Sequence, residues 1–274
     1  MVRSARFAAL ALGAALLAPV VALADTNISA AGSTALQPLV TAAAETYQAQ
    51  HSDVKISVTG GGSKTGLSLV GNKAVDLGDS DILAPAGSSG LVDHKVAVVG
   101  FSVIVNPASG VTNLSKKQIQ DIFSGNVSNW KDVGGKDLAI TVINRPASSG
   151  TRAVFVKTLM GGADLTKSAL TEDATGTVVQ KVKQSAGTVS YASFSGTKSA
   201  GAGVTEVSID GVAASVGNVT SGKYPFWSYE HIYTNGEPAA PVAQFIDYVT
   251  KSKDLMQKTG YISVADMKVS ETDR

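Results

Sequence analysis

The sequence predicts an α/β fold that presents ligand-binding turns at the ends of its strands. Three observations carry this. Segments with the two-residue period of strands alternate with segments of helical period along the chain. Turns rich in glycine and hydroxyl residues stand where a strand passes into a helix, at Gly32-Ser33-Thr34, at Gly60-Gly61-Gly62-Ser63-Lys64-Thr65-Gly66, and at Asn144 through Arg152. An N-terminal export segment, once removed, leaves about 250 residues, enough for one large core or two modest ones.

The elements follow in order. Asn27 to Ala31 reads as a short strand. Ser33 or Thr34 is placed to cap a helix carrying Leu36, Leu39, Val40, Ala43 and Tyr47 on one face, with Pro38 tolerated in its first turn. Lys55 to Thr59 alternates as a strand and runs into the glycine turn, which opens a helix from Ser63 to about Val70. Ala74 to Gly78 is a further strand, ending at Asp79-Ser80-Asp81. Val96 to Val105 is a long apolar run and predicts a buried central strand. Ser115 and Gln118 form a capping box, Leu114 staples onto Ile119, and the helix stops near Gly125. Leu138 to Asn144 is a strand, Ala153 to Leu159 a helix, and Val178 to Gln184 another helix. Strands follow at Val189 to Tyr191 and Val204 to Ile209, with the small-residue run from Ser195 to Val204 read as a surface loop. Tyr224 to Trp227 and Ile232-Tyr233 read as strands, and Pro238 to Thr250 as an amphipathic helix.

The first 24 residues have the layout of a secretory signal. Arg3 and Arg6 precede an apolar run from Phe7 to Leu17, Pro19 breaks it, and Ala22-Leu23-Ala24 supplies a small-x-small cleavage site. The run is too short to span a bilayer. Removing it takes away two arginines and no acid, so the net charge passes from +1 to about −1. That balance argues against a nucleic-acid partner or an anionic membrane surface. Any anion must therefore be held by local groups. Cysteine is absent, so no disulfide framework exists and no thiol follows the signal to carry a lipid. A soluble periplasmic or secreted protein is the expectation.

The turn around Arg145 and Arg152 carries the most chemistry. A helix start gathers unpaired N–H groups and the positive end of the dipole. A guanidinium adds a fork of donors that suits a tetrahedral oxyanion. The other two turns repeat the design. Other chemistries fit less well. A nucleotide P-loop needs glycine directly before its lysine, and Ser63 stands there instead. A nucleophile elbow needs glycine two residues either side of a serine, and neither Ser63 nor Ser149 has both. His51, His94 and His231 lack metal-ligand spacing and read as solvated positions. Tyr224-Pro225-Phe226-Trp227 reads as core or hinge packing rather than a carbohydrate platform. No cofactor or metal is expected.

Asp76, Asp79 and Asp81 do not have calcium-loop spacing and read either as a solvated loop or as a source of one carboxylate facing the anion. A carboxylate repels an anion unless the anion brings a proton. A protonated phosphate then donates a hydrogen bond, whereas fully ionised sulfate leaves a buried acceptor unpaired, at a cost of roughly 1–3 kcal/mol or more.

At these residues the chain resembles the periplasmic phosphate-binding proteins, the solute receptors of phosphate ABC transporters. The resemblance runs in order through Ala31-Gly32-Ser33-Thr34, Gly60 to Gly66, Asp76 to Asp81, Leu114 to Trp130, Arg145 to Thr151, and Tyr224-Pro225. It covers nearly the whole mature chain. It implies a type II two-lobed fold, each lobe a mixed sheet flanked by helices, with the ligand cleft between the lobes. Lobe I would comprise 25–103 and 225–274, and lobe II 104–224, with crossings near 103–106 and 223–225. Carried onto this chain, the resemblance implies phosphate held by Thr34 and the N–H of Ala35, by Ser63, by Asp81 as acceptor of the phosphate proton, and by Arg145, Ser149, Gly150 and Thr151. Arg152 braces the site. Pro146, Ala147 and Ser148 stand where the family carries an acidic or glycine-containing spacer. The implied protein is a receptor rather than an enzyme, monomeric, and partnered by phosphate and membrane permease subunits. A receptor for sulfate, molybdate or arsenate is the alternative within the class, and an exported phosphatase the alternative outside it.

Overall fold

The computed structural model describes residues 26–269. The expected signal segment and its cleavage after Ala24 lie outside the described residues.

The chain opens with β1 (Thr26–Gly32), α1 (Gln37–Gln50), β2 (Val54–Thr59), α2 (Ser63–Gly71), β3 (Leu77–Ser80) and the long β4 (Leu91–Val105). The middle holds β5 (Asn113–Leu114), α3 (Lys116–Ser124), β6 (Thr141–Asn144), α4 (Gly150–Phe155), β7 (Leu170–Thr171), α5 (Thr175–Gln184), β8 (Thr188–Ser193), α6 (Phe194–Ala200), β9 (Thr205–Ile209) and α7 (Val216–Thr220). It closes with β10 (Trp227–Asn235), α8 (Ala240–Lys251) and α9 (Lys253–Thr259).

Each expected helix forms on the face its apolar spacing dictates. In α1 the residues Leu39, Val40, Ala43, Ala44 and Tyr47 are buried. The capping box of α3 is present, and Gly125 ends that helix in the left-handed conformation. In α8 the buried residues are Phe245, Ile246 and Val249. Burying one such side chain contributes roughly 1.5–3 kcal/mol.

The strand order β2-β1-β3-β10-β4-β8-β6-β7 makes one curled mixed sheet. β4 organises it. From Leu91 to Gly100 it pairs antiparallel with β10, and from Phe101 to Val105 it pairs with β8 and β9. The first sheet half thus holds β2, β1, β3 and β10, and the second holds β8, β6 and β7. At the change of partner, Phe101 N–H donates to the Phe226 carbonyl at 2.9 Å, so the two chain crossings lie side by side. The Phe101 and Phe226 rings meet there at 5.1 Å, and Tyr224 is fully buried beside them. The aromatic segment 224–227 therefore packs at the crossing, as expected.

Four expectations change. The run from Ser195 is not a loop at its start: α6 forms, with Phe194, Ser195 and Thr197 buried and Ser193 capping it through the N–H of Gly196. The strand expected at Ala74 to Gly78 lies instead at Leu77–Ser80, which draws Asp79 into the sheet. The strand expected at 232–233 is part of a longer one, β10, which starts at Trp227 and is carried past a bulge at Glu230, while Tyr224, Pro225 and Phe226 lie outside any strand. His231 is buried in that strand rather than solvated, paired with Asp93 at 2.8 Å.

Candidate functional site

Three strand–turn–helix joints meet between the two halves of the sheet. β1 runs into α1 through Ser33 and Thr34, β2 into α2 through Gly60 to Gly62, and β6 into α4 through Arg145 to Ser149. β3 ends beside them, and Asp81 follows it directly. Parallel strands deliver these turns at their carboxyl ends, where open α/β sheets place ligands.

Asp81 is the centre of the arrangement and is almost wholly buried. The Thr151 hydroxyl donates to its Oδ2 at 2.8 Å, and the Ser33 hydroxyl donates to its Oδ1. Its own N–H donates to Ser63 Oγ at 2.9 Å. Ser63, Asp81 and Thr151, separated by up to 88 positions, therefore point into one pocket. A cavity of about 280 Å³ adjoins it, lined by Asp81, Ile82 and Leu83 on one side and by Ala153, Val154 and Lys157 on the other.

Arg145 is buried, with 1% of its surface exposed. Its Nη2 donates to Thr34 Oγ1 at 3.0 Å and to the Asp173 carbonyl at 2.7 Å, and its Nη1 reaches Thr175 Oγ1 at 3.5 Å. Nε has no partner. No carboxylate forms an ion pair with this guanidinium among the described residues. Pro146, Ala147 and Ser148, which follow Arg145, include no acid. Burial pushes the Arg145 pKa down from its ordinary value, while Tyr191, Asp81 and Asp173 nearby favour the charged form. A buried cation held only by hydroxyls and a carbonyl calls for an anion.

The remaining turn residues set the geometry. Ser149 caps α4 by accepting from the Arg152 N–H at 3.2 Å. Arg152 Nη1 donates to the Arg145 carbonyl at 3.1 Å. Lys64 N–H donates to the Ser148 carbonyl at 3.0 Å and binds one joint to another. Gly62 sits at φ 92°, and a Cβ there would lie 2.7 Å from that same carbonyl. At Gly150 a Cβ would fall within the van der Waals shell of Ser63 Oγ and 2.9 Å from Asp81 Cβ. The joints close on each other only because these positions carry no side chain.

All eight expected residues, Thr34, Ala35, Ser63, Asp81, Arg145, Ser149, Gly150 and Thr151, belong to this cluster. The Ala35 N–H is engaged by Ser33 Oγ at 3.0 Å. Sequence reasoning passed over Ser33 and Thr175. Thr175 begins α5, donates its N–H to Thr34 Oγ1 at 3.3 Å and faces Arg145. Its segment, Asp173-Ala174-Thr175-Gly176-Thr177, is a fourth hydroxyl and glycine helix start, the same signal that marks the other joints. Among the described residues no group of His, Cys, Asp and Glu is arranged to hold a metal ion, and no helix is long and apolar enough to cross a membrane.

Two α/β halves joined at paired crossings, with anion-seeking turns between them, define a bilobal solute-binding protein, and residues 19–253 match the PBP superfamily domain. The phosphate-binding protein PstS of Bacillus subtilis is 44% identical over 252 residues, covering 89% of this chain and 83% of that protein. A Clostridium perfringens protein solved with bound phosphate superposes with a TM-score of 0.82 at 27% identity, covering 87% of this chain and 100% of that one. An ABC-type phosphate transport receptor from Vibrio cholerae superposes with a TM-score of 0.70 at 28% identity, covering 86% and 99%. The chain belongs to the PstS family of phosphate-binding proteins.

Proposed function

We propose that this protein captures inorganic phosphate outside the cytoplasmic membrane and delivers it to an ABC permease. It does so as an exported, soluble monomer, freed of its signal after Ala24, without catalysing a reaction. The observation that carries the reading is Arg145, a buried guanidinium with no carboxylate partner, set across a pocket from a buried acceptor, Asp81.

The phosphate would sit among Thr34, Ala35, Ser63, Asp81, Arg145, Ser149, Gly150 and Thr151. Arg145, the hydroxyls and the N–H groups at the starts of α2 and α4 donate to its oxygens. Asp81 accepts the proton that monobasic or dibasic phosphate carries, and an anion without a proton leaves that carboxylate facing bare oxygen. Hydrogen bonds to a charged partner contribute roughly 1.5–3 kcal/mol each, and micromolar affinity requires about 8 kcal/mol in all. Several such bonds are sufficient after the cost of closure.

Lobe I, 25–103 with 225–274, and lobe II, 104–224, would turn about the crossings at β4 and at the segment before β10. Thr34, Ser63 and Asp81 then ride on lobe I, and Arg145, Ser149, Gly150 and Thr151 on lobe II. The ion bridges the two, which couples its binding to closure.

Isothermal titration of the mature protein, stripped of phosphate, tests the reading. Micromolar or tighter binding of phosphate with rejection of sulfate is expected. No heat and no thermal shift with phosphate overturns it, and release of phosphate from a chromogenic ester would indicate a hydrolase instead.

A further inference from the structure

Glu230 lies on β10 behind Asp81 and is completely buried. One of its oxygens accepts a 3.4 Å bond from Ser228, while Oε2 has no conventional donor. His231 lies opposite Ser80 where β10 pairs with β3, which sets Glu230 beside Asp81, and the two buried carboxyl groups face each other there. Two ionised carboxylates are both acceptors and form no hydrogen bond, so this contact requires a proton on one of them. Asp81 already accepts from the Ser33 and Thr151 hydroxyls, which satisfy an ionised group. Glu230 has one long bond only. The proton therefore belongs on Glu230.

We propose that Glu230 is a positioning residue for anion selectivity: its neutral carboxyl donates to Asp81 and holds it as an ionised acceptor for the proton of the bound anion. The inference rests on the phosphate-receptor reading and extends it to a residue that never touches the ion. The groups facing Glu230 support the assignment. They are Asp81 and Asp79 on the β3 side, Ser228 on its own strand, and the Tyr261 hydroxyl from the segment after α9. Burial raises the Glu230 pKa well above the ordinary carboxylate range, and Asp81 and Asp79 push it in the same direction. A dibasic anion arriving at Asp81 would be repelled by all three carboxyl groups, Asp81 at the pocket and Asp79 and Glu230 buried behind it, if each were ionised; with Glu230 neutral, that repulsion is reduced. Replacing the donor by an apolar side chain leaves ionised Asp81 with one bond fewer. The balance then moves away from an anion that brings a proton and toward one that brings none.

The test compares wild type, E230Q and E230L by titration with phosphate and with sulfate, from about pH 6 to about pH 9. Glutamine retains an N–H donor toward Asp81, so E230Q should keep the preference for phosphate and show less weakening of binding with rising pH than wild type, in which Glu230 can lose its proton. E230L should lose roughly ten- to a hundredfold of the phosphate-over-sulfate ratio, the equivalent of one hydrogen bond to a charged group. Infrared spectroscopy of wild type supplies a readout that does not depend on whether E230L folds. The carbonyl stretch of a protonated carboxylic acid should be present at neutral pH and reduced in E230Q. If wild type binds phosphate but that band is identical in E230Q, or if E230L keeps the wild-type ratio, the role of Glu230 is overturned and the receptor reading stands. If wild type binds no phosphate, the receptor reading itself fails.

Discussion

Thr151 donates to Asp81 Oδ2 at 2.8 Å, joining the helix start after β6 to the end of β3. The two residues are 70 positions apart and belong to different halves of the sheet. Both are buried, so the bond is made in a place from which water is largely excluded. A carboxylate there is either fully partnered or costly. On the proposed reading, Asp81 is the point at which the site distinguishes one anion from another. Replacing Asp81 by asparagine exchanges an acceptor for a group that also donates. D81N should lose roughly ten- to a hundredfold in phosphate affinity and bind sulfate better than wild type does. A competition panel of phosphate, arsenate, sulfate and molybdate checks this; unchanged selectivity would assign Asp81 another role.

Arg145 should behave as a ligand-binding residue rather than a stabilising one. Its charge is buried without a counter-ion, an arrangement that costs free energy until an anion arrives. R145M should abolish the rise in melting temperature that phosphate produces, while the melting temperature of the phosphate-free protein stays level or increases. R145K should not restore binding, because a lysine cannot reproduce the forked contacts to Thr34, Thr175 and the anion. Thermal shift assays with and without phosphate separate the two effects.

Gly150 should control closure. A methyl group there meets Ser63 and the Asp81 side chain across the cleft. G150A should weaken phosphate binding by more than tenfold, since a shift of half an ångström at this contact opens the pocket to water. Unfolding by urea should change little, because Gly150 lies in the cluster of turns rather than among the apolar residues of the core. Small-angle scattering in saturating phosphate should report a more open particle than wild type.

Asp79 makes stability depend on pH. It sits fully buried in β3 with neither carboxylate oxygen partnered, and burial and the charge of Asp81 raise its pKa well above 3.8. A folded-state pKa above the unfolded one means that the native protein binds the proton more tightly. This stabilisation is complete below the unfolded value and is lost as pH rises toward the folded one. Phosphate-free wild type should therefore lose stability from mildly acidic to alkaline pH, by up to about 1.4 kcal/mol per pH unit for this group, with Glu230 acting in the same sense. D79N should show a shallower slope in urea titrations across that range. Equal slopes would mean that Asp79 is ionised in the fold.

Phe155 stacks on Tyr191 with ring centroids 4.2 Å apart and meets Phe226 edge-on at 5.6 Å, so it ties α4 to β8 and to the crossing. F155A should cost roughly 3–5 kcal/mol of stability. Phosphate affinity at temperatures where the variant remains folded should fall as well, since α4 carries Thr151. Chemical denaturation combined with titration distinguishes the two contributions.

Much of this could be read in the chain before any coordinates. The helix after Leu114 was legible because its capping box and C-terminal glycine are local signals, and both appear at the expected residues. The joints at Ser63 and Ser149 were legible for the same reason: hydroxyl and glycine residues at a helix start advertise unpaired N–H groups. α6 was not legible, because Ser195-Gly196-Thr197 resembles a loop, and only packing against the core and the Ser193 cap makes it helical. His231 reads as a surface residue in the sequence because no periodicity marks a histidine in a strand as buried.

The amino-acid order by itself determined which segments become strands and helices, which turns seek an anion, and the family to which they belong, since these depend on neighbours within a few residues. The tertiary structure alone decided that Asp79, Asp81 and Glu230 share one buried region and that Arg145 meets no carboxylate among the described residues. Those facts depend on which strands pair in the sheet, and a carboxyl group's charge is set by the surroundings that pairing creates rather than by its place in the chain.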